Sequence, residues 1–433
     1  MRYPPWTAAL IAVTLGVSLA SCSDNEGGGD GELAGHTIEV VAPWSGDEQQ
    51  QFERVLSAFE ERTGATVDYT SAGDELPTVL QTRVQGDTVP NVAIVAQPGL
   101  IRQLADSDAL KPLAPDVLEV LDEHMAGAWR EFGEVDGTPY GLYFKAANKS
   151  LVWYNDATFT ETGAASPHTW EEFLEISNGL ADMGVEPQSI GAADGWVLTD
   201  WFENIYLRTA GPEMYEKLSR HEIPWTDPSV REALEVMAEL FGEDRLIAGG
   251  GGTALQTDFP DSVINVFGEE PEAAMLTGAD FVGTVVSEST NADVGDTART
   301  FPFPSIGGSG DSLVVAGDAA VAMKDDKPTR ELLKFLASPE AGEEWAELGG
   351  FLSPNQNVSF DAYPDETTRG IAKHLIGAGD GVRFDLSDQV PAAFGATNGA
   401  GMWKTLQDFL ADPDDVDGAM ERLEADAAKA YDT

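Results

Sequence analysis

Apolar and polar positions along this chain follow two rhythms, and the change between them is sharpest from His36 to Tyr69. Ile38 to Ala42 is an apolar run of strand length, followed by a polar turn of Trp44, Ser45, Gly46, Asp47 and Glu48. Phe52, Val55, Leu56 and Phe59 then recur at i, i+3, i+4 and i+7, which gives a helix one apolar face, while Glu53, Arg54, Glu60 and Glu61 take the other. Gly64 stops this helix, and Thr66 to Thr70 alternates as a second strand.

The alternation continues. Leu76, Val79, Leu80 and Val84 mark a second helix, Val92 to Val95 a third strand, and Leu100, Ile101 and Leu104 a further helix. Strands separated by helices predict an α/β lobe with a mostly parallel sheet, and ligands of such sheets sit beyond the carboxyl ends of the strands. Trp44 to Glu48, Gly73 with Asp74, and Gln97 with Pro98 and Gly99 all fall on that rim. Local readings stand beside the functional one: Ser45 and Glu48 have the S-x-x-E spacing of a capping box, and Pro98 and Gly99 turn the chain in any case.

Gly137 to Gly141 is a tight-turn cluster, and Leu142 to Tyr154 carries two β-rich aromatic segments around Lys145, read as a first crossing into a second lobe. Thr169 and Glu172 repeat the capping-box spacing. Trp196 and Trp201 flank Asp200, with Thr199 read as an N-cap; a tryptophan at a helix start belongs to a core more often than to a ligand, but two around an aspartate suit a binding surface. Val230, Leu234, Met237 and Phe241 mark another helix, Gly249 to Gly252 a loop, Ala273 to Leu276 a short strand, and Gly278 to Phe281 a turn presenting Asp280. Leu313 to Val315 and Ala319 to Met323 read as two strands crossing back. Thr329 to Leu336 and Ala341 to Leu348 are a helix pair broken at Pro339, Gly349 to Asn355 a third crossing, and the rest helical apart from a loop at Phe384 to Phe394.

At 433 residues the chain predicts two or three lobes rather than one. Its formal net charge of −50, from 75 acidic and 25 basic residues, repels nucleic acid and anionic lipid and disfavours phosphorylated solutes. Residues 1–22 have the form of a targeting signal: Arg2, an apolar core from Ala8 to Ala20, and small residues before Cys22. Leu19, Ala20, Ser21 and Cys22 resemble the lipobox of bacterial lipoproteins, which implies an acylated Cys22 and attachment to the outer face of the cytoplasmic membrane; the alternative is a plain secretory signal. Cys22 is the one cysteine, so no disulfide forms within the chain. Residues 23–35 read as a flexible tether.

Catalytic and metal signatures are missing from the sequence. There is no G-x-S-x-G, H-E-x-x-H or phosphate-loop motif, and His36, His124, His168, His221 and His374 are scattered singly, so neither metal nor cofactor is indicated. Ten Trp, 19 Phe and 9 Tyr remain, many in expected loops beside Asp, Asn and Gln. Such a surface suits neutral sugars, whose apolar ring faces stack on aromatic rings while carboxylates and amides bond to hydroxyls.

The chain resembles the extracellular solute-binding proteins (family 1) of ATP-binding-cassette (ABC) carbohydrate importers. Phe52, Phe59, Glu60, Thr63, Gly64, Val67 and Tyr69 carry the likeness in the opening unit, and Gly141, Leu142, Lys145, Trp153 and Tyr154 at the first crossing. Ala316 to Ala320 and Gly350, Phe351, Ser353, Pro354 and Asn355 carry it later. Gly195, Trp196, Thr199, Asp200 and Trp201, with Arg208, Gly211, Pro212 and Glu213, look like the α-glucoside-binding members. The resemblance implies a two-lobe periplasmic-binding-protein-like fold of type II with a hinge of several crossings. The lobes expected are 36–147 with 313–352, and 148–312 with 353–433. It also implies a monomeric, non-enzymatic receptor that closes on a neutral sugar and docks on permease subunits. Loop position then implies ligand contacts at Trp44, Ser45, Glu48, Gln97, Lys145, Trp196, Asp200, Trp201, Asp280, Phe351, Asp385 and Asp388. Two rival readings are a secreted glycoside hydrolase using the same groups, and a binder of peptides, polyols or metal.

Overall fold

The computed structural model describes residues 31–310 and 312–432. The expected signal at 1–22, the lipid anchor on Cys22 and most of the expected tether lie outside that range. The last part of the tether is no tether: Leu33 is buried, and its amide donates to Thr63 O at 2.9 Å.

The strands in chain order are β1 (Thr37–Ala42), β2 (Thr66–Ser71), β3 (Val92–Val95), β4 (Glu134–Val135), β5 (Thr138–Pro139), β6 (Gly141–Asn148), β7 (Leu151–Asn155), β8 (Met275–Thr277), β9 (Ala298–Pro302), β10 (Leu313–Ala322) and β11 (Val382–Phe384). β1 pairs in parallel with β2 and β3, as the strand and helix alternation requires. The sheet continues through β10, antiparallel to β3 and parallel to β11, and β6 runs antiparallel along the other edge of β10. β8, β7 and β9 form a separate antiparallel sheet. With the short antiparallel pair of β4 and β5, the fold is therefore α/β with two main sheets and one two-stranded ribbon.

The helix Gly46–Thr63 buries Phe52, Val55, Leu56 and Phe59 against the first sheet, and Gly64 ends it with φ 74°, a conformation in which a Cβ would be strained. One apolar cluster gathers around the large sheet and extends to Trp153, Leu276 and Val282. A second gathers around the helix Trp196–Ala210, every residue of which is buried from Val197 to Arg208.

Several expectations need correcting. The two strands expected at 313–315 and 319–323 are one strand, β10, with a register shift between Asp318 and Ala319. Gly349 to Asn355 does not cross: Leu352 bridges Ala146, and Val358, Tyr363, Ile371, Leu375 and Phe384 all pack in the first cluster. The chain passes to the second cluster after β11 instead, so 353–384 sits with the first sheet and not with the second unit. Phe384 to Phe394 is not a loop but the end of β11 and two short helices, Leu386–Gln389 and Ala392–Gly395. The first passage breaks at Lys149 and Ser150, between β6 and β7, within the expected crossing and just past the expected boundary at 147/148. Gly251–Ala254 is a short helix, and Thr199 is no N-cap, because the helix begins at Trp196 and the Thr199 hydroxyl donates to Trp196 O at 2.8 Å.

Candidate functional site

The turn after β1 places Trp44 and Glu48 at the rim of the large sheet. Ser45 is the N-cap residue of its helix but makes no capping bond through its side chain. Glu48 instead bonds to Lys145 Nζ, so the capping-box alternative is not realised. Lys145 on β6 sits opposite Asp318 on β10 in the strand register, and its ammonium lies 3.7 Å from that carboxylate. The same ammonium stands 5.0 Å from the ring centre of Trp44 and 5.4 Å from that of Trp345. Burial works against the charge of Lys145, but Asp318 and Glu48 outweigh it and hold its pKa above the ordinary value. Asp318 is pushed up to about 6 by burial.

Trp44 meets Phe52 edge-on at 4.9 Å and Phe144 at 6.2 Å. Phe351 stacks on Trp345 with centroids 4.9 Å apart and planes at 11°, and is 3% exposed. It therefore backs the aromatic wall rather than facing a solute, which corrects the expectation for it. Gln97 is exposed at the start of the helix Pro98–Asp106. A Cβ on Gly99, two residues on, would lie 3.7 Å from Asp388 O, so the short helix carrying Asp388 abuts this part of the rim.

The second group of expected contacts lies on the helix Trp196–Ala210. Residues four apart share a helix face, which sets Trp196 and Asp200 together, whereas Trp201 is turned about 100° beyond Asp200. Trp201 accordingly points into the core against Trp170, Phe241 and Phe303 and is 1% exposed. It is no ligand contact. Trp196 remains partly exposed, packed on Phe259 at 4.9 Å and Phe281 at 5.9 Å. Gly195 before it takes φ 59°, and a Cβ there would strike Trp403 at 2.7 Å.

Lys149 joins the helix to the β11 end. Its ammonium donates to Asp200 at 3.0 Å and also to Asp385, and lies 5.7 Å from the Trp196 ring centre. Burial opposes its charge, but Asp200 and Asp385 hold the pKa well above the ordinary value. Asp385 is fully buried and also accepts from the Ser387 hydroxyl at 2.6 Å and Asp388 N at 3.0 Å. Burial would raise its pKa, yet the Lys149 ammonium keeps it below the ordinary range. With its acceptors so engaged, Asp385 is a helix cap and ion-pair partner and not a solute contact. Asp280 likewise accepts from Asn148 N at 2.6 Å, and burial pushes it up to about 6.

Two carboxylates keep acceptor capacity. Asp200 Oδ2 has no hydrogen-bond partner, and burial pushes the group up to about 7. Asp388 is half-buried and pushed up to about 8, first by burial and then by the charge of Asp385, with Asp200 and Asp318 adding to it. Asp388 therefore feels carboxylates from both rims. The Tyr143 hydroxyl, fully buried and unpartnered, is influenced by Asp388 and Asp318 as well. Such groups favour a solute rich in hydroxyl donors over an anionic one.

The structure thus brings Trp44, Glu48 and Lys145 into one group and Trp196, Asp200 and Asp388 into another, while Trp201, Phe351 and Asp385 serve core and hinge. Sequence reasoning did not assign Lys149, Asp318, Trp345, Tyr143 or Phe281 to the site, although Lys149 is a charged residue set between two apolar strands and Asp318 lies within the Ala316 to Ala320 run that carries the family likeness. Two open depressions, one lined by Tyr154, Arg299 and Glu366 and the other by Asn155, Glu161 and Glu272, share no residue with this site. Among the described residues no group of His, Cys, Asp or Glu could hold a metal ion, and no helix is long and apolar enough to cross a membrane.

Comparison with known proteins agrees with this architecture. Residues 43–343 match the family of bacterial extracellular solute-binding proteins. The osmoprotective compounds-binding protein GgtB of Synechocystis sp. is 34% identical over 93% of this chain and 95% of its own length. The alpha-glucosides-binding periplasmic protein AglE of Rhizobium meliloti is 33% identical over 93% of this chain and 88% of its own. Among solved structures, apo RafE from Streptococcus pneumoniae superposes with a TM-score of 0.75 at 17% identity, covering 94% of this chain and 99% of RafE. The solute receptor AcbH gives the same TM-score at 19% identity, over 92% of this chain and 99% of AcbH. These proteins bind solutes and do not transform them, so the hydrolase reading falls. The chain belongs to the bacterial extracellular solute-binding proteins, the sugar-binding components of ABC importers.

Proposed function

We propose that this protein binds a small neutral sugar, an α-glucoside or a related glucosylated osmolyte, between the rim of Trp44, Glu48, Lys145 and Gln97 and the rim of Trp196, Asp200 and Asp388. The carrying observation is that the buried Asp200 Oδ2 lacks a hydrogen-bond partner beside the partly exposed Trp196, with the half-buried Asp388 close enough to feel its charge, so that hydroxyl donors and an apolar ring face can be met at one place on closure. The name of AglE supports an α-glucoside, and that of GgtB an osmoprotective compound. The loaded protein delivers its solute to a membrane permease as a monomer, held at the outer face of the cytoplasmic membrane by lipid on Cys22.

Binding both rims stabilises the closed arrangement preferentially, which is the thermodynamic basis of delivery. Calorimetric titration of the protein carrying Cys22→Ser with trehalose, maltose, sucrose, maltotriose and a glucosylated polyol tests the reading. A one-to-one isotherm for an α-glucoside or the glucosylated polyol supports it. Silence across the panel, with binding of a peptide or a charged solute, overturns it.

A further inference from the structure

The helix Trp196–Ala210 buries polar side chains as well as apolar ones. Asp200, Asn204 and Arg208 follow one another at intervals of four, and Glu203 lies beside them, so all four project from one side. Each bonds where the chain passes between the two clusters. Asn204 Nδ2 donates to Lys149 O at 2.9 Å, and Asn204 Oδ1 accepts from the Ser150 hydroxyl at 2.6 Å, which fixes the passage from β6 to β7. Arg208 Nη2 donates to Phe303 O at 3.3 Å, on the passage from β9 to β10, and its Nη1 donates to Asn204 Oδ1 at 3.0 Å. Glu203 accepts from Leu386 N at 2.9 Å and Ser387 N at 3.0 Å, on the passage that follows β11. The passages are also tied to one another, for Ser150 Oγ accepts from Val314 N at 2.9 Å. Asp200, the first of the four, pairs with Lys149 and stands beside Trp196.

We propose that Glu203, Asn204 and Arg208 are positioning residues for closure: through them a solute contact at Asp200 moves all three interdomain passages together. The proposal rests on the reading of Asp200 as solute-facing. Hydrogen bonds made away from water resist being broken, because each freed group loses its partner with nothing to replace it. A shift of this helix is therefore transmitted to Lys149, Phe303 and Leu386 as a unit, and the passages move as one hinge rather than three loops.

The test places spin labels at the exposed positions Gln50 and Gln256, one on each side, as cysteines in a Cys22→Ser background, and measures the interlabel distance distribution with and without saturating sugar. Asn204→Ala and Glu203→Gln are compared with Asp200→Asn. The two hinge variants are expected to broaden the sugar-free distribution, to halve or more than halve the sugar-induced shift, and to raise Kd roughly five- to thirtyfold. Asp200→Asn is expected to raise Kd and, since it touches only the first passage through Lys149, to change the sugar-free distribution less than either hinge variant. Glu203→Gln keeps size and shape, so it carries the same readouts if Asn204→Ala does not fold. Wild-type distributions in both hinge variants, free and loaded, overturn the proposal. If no sugar moves the wild-type distribution, the sugar reading fails on its own, and the sugar-free distributions still decide the hinge role.

Discussion

The rings of Trp44 and Trp345 meet edge to face, with centroids 5.1 Å apart and planes at 89°. One lies in the turn after the first strand and the other in a helix some three hundred residues later, so the rim of the proposed site is braced by a late part of the chain. Trp345 is 1% exposed and also packs on Phe52 and Phe351. Trp345→Ala is expected to cost about 3–5 kcal/mol of stability, as large aromatic deletions in cores do. Urea unfolding checks this; a loss under about 1 kcal/mol would show that the brace is dispensable.

Lys149 answers two buried carboxylates at once. Lys149→Met leaves Asp200 and Asp385 without their cation and is expected to destabilise by about 3–5 kcal/mol. Adding Asp200→Asn and Asp385→Asn to it should return much of that loss, since the penalty lies in unpaired charge rather than in lost packing. A triple variant no more stable than Lys149→Met contradicts this assignment.

Trp196 and Trp201 separate binding from folding. Trp196→Ala is expected to weaken sugar binding about tenfold, equivalent to roughly 1.4 kcal/mol, with a small change in melting temperature. Trp201→Ala is expected to do the reverse, lowering stability by about 3–5 kcal/mol through a core cavity. Calorimetry and thermal melts on the pair give the answer, and equal effects on affinity would return Trp201 to the site.

Asp388 and Asp200 make stability depend on pH in a defined direction. An aspartate in the unfolded chain titrates near pH 4. Asp388 is pushed up to about 8 and Asp200 to about 7, so between about pH 4 and those values the folded state holds protons that the unfolded state has released. Their contribution is full below the unfolded pKa and is lost as pH rises through 7 and 8. Asp385, held low beside Lys149, acts oppositely and only in acid. Sugar-free melting temperature should therefore fall from pH 5.5 to 8.5, and Asp388→Asn should flatten the decline. An unchanged slope in that variant removes Asp388 as its source.

The opening unit was legible because its helix buries Phe52, Val55, Leu56 and Phe59 at one amphipathic spacing, and local period is visible in local sequence. The site was legible only in part. Glu48 fits a capping box by spacing, and the lysine that takes it instead is 97 residues away, a distance over which no local pattern speaks. Trp201 failed for a simpler reason: adjacency in sequence is a turn of about 100° on a helix, so a neighbour of a site residue faces elsewhere. The late passage at Asp385 was hidden because a three-residue strand, β11, looks like loop until its pairing with β10 is known.

That strand order bears on how the protein is made. β1, β2, β3 and β6 are all synthesised before residue 150, yet β10, which joins β3 to β6 and β11, begins only at Leu313. At ordinary translation speeds the early strands wait on the order of ten seconds or more for the partner that closes them. Pairing over such sequence separations is also slow once the partner arrives. The amino-terminal half thus leaves the ribosome before the strand that completes its sheet has been made.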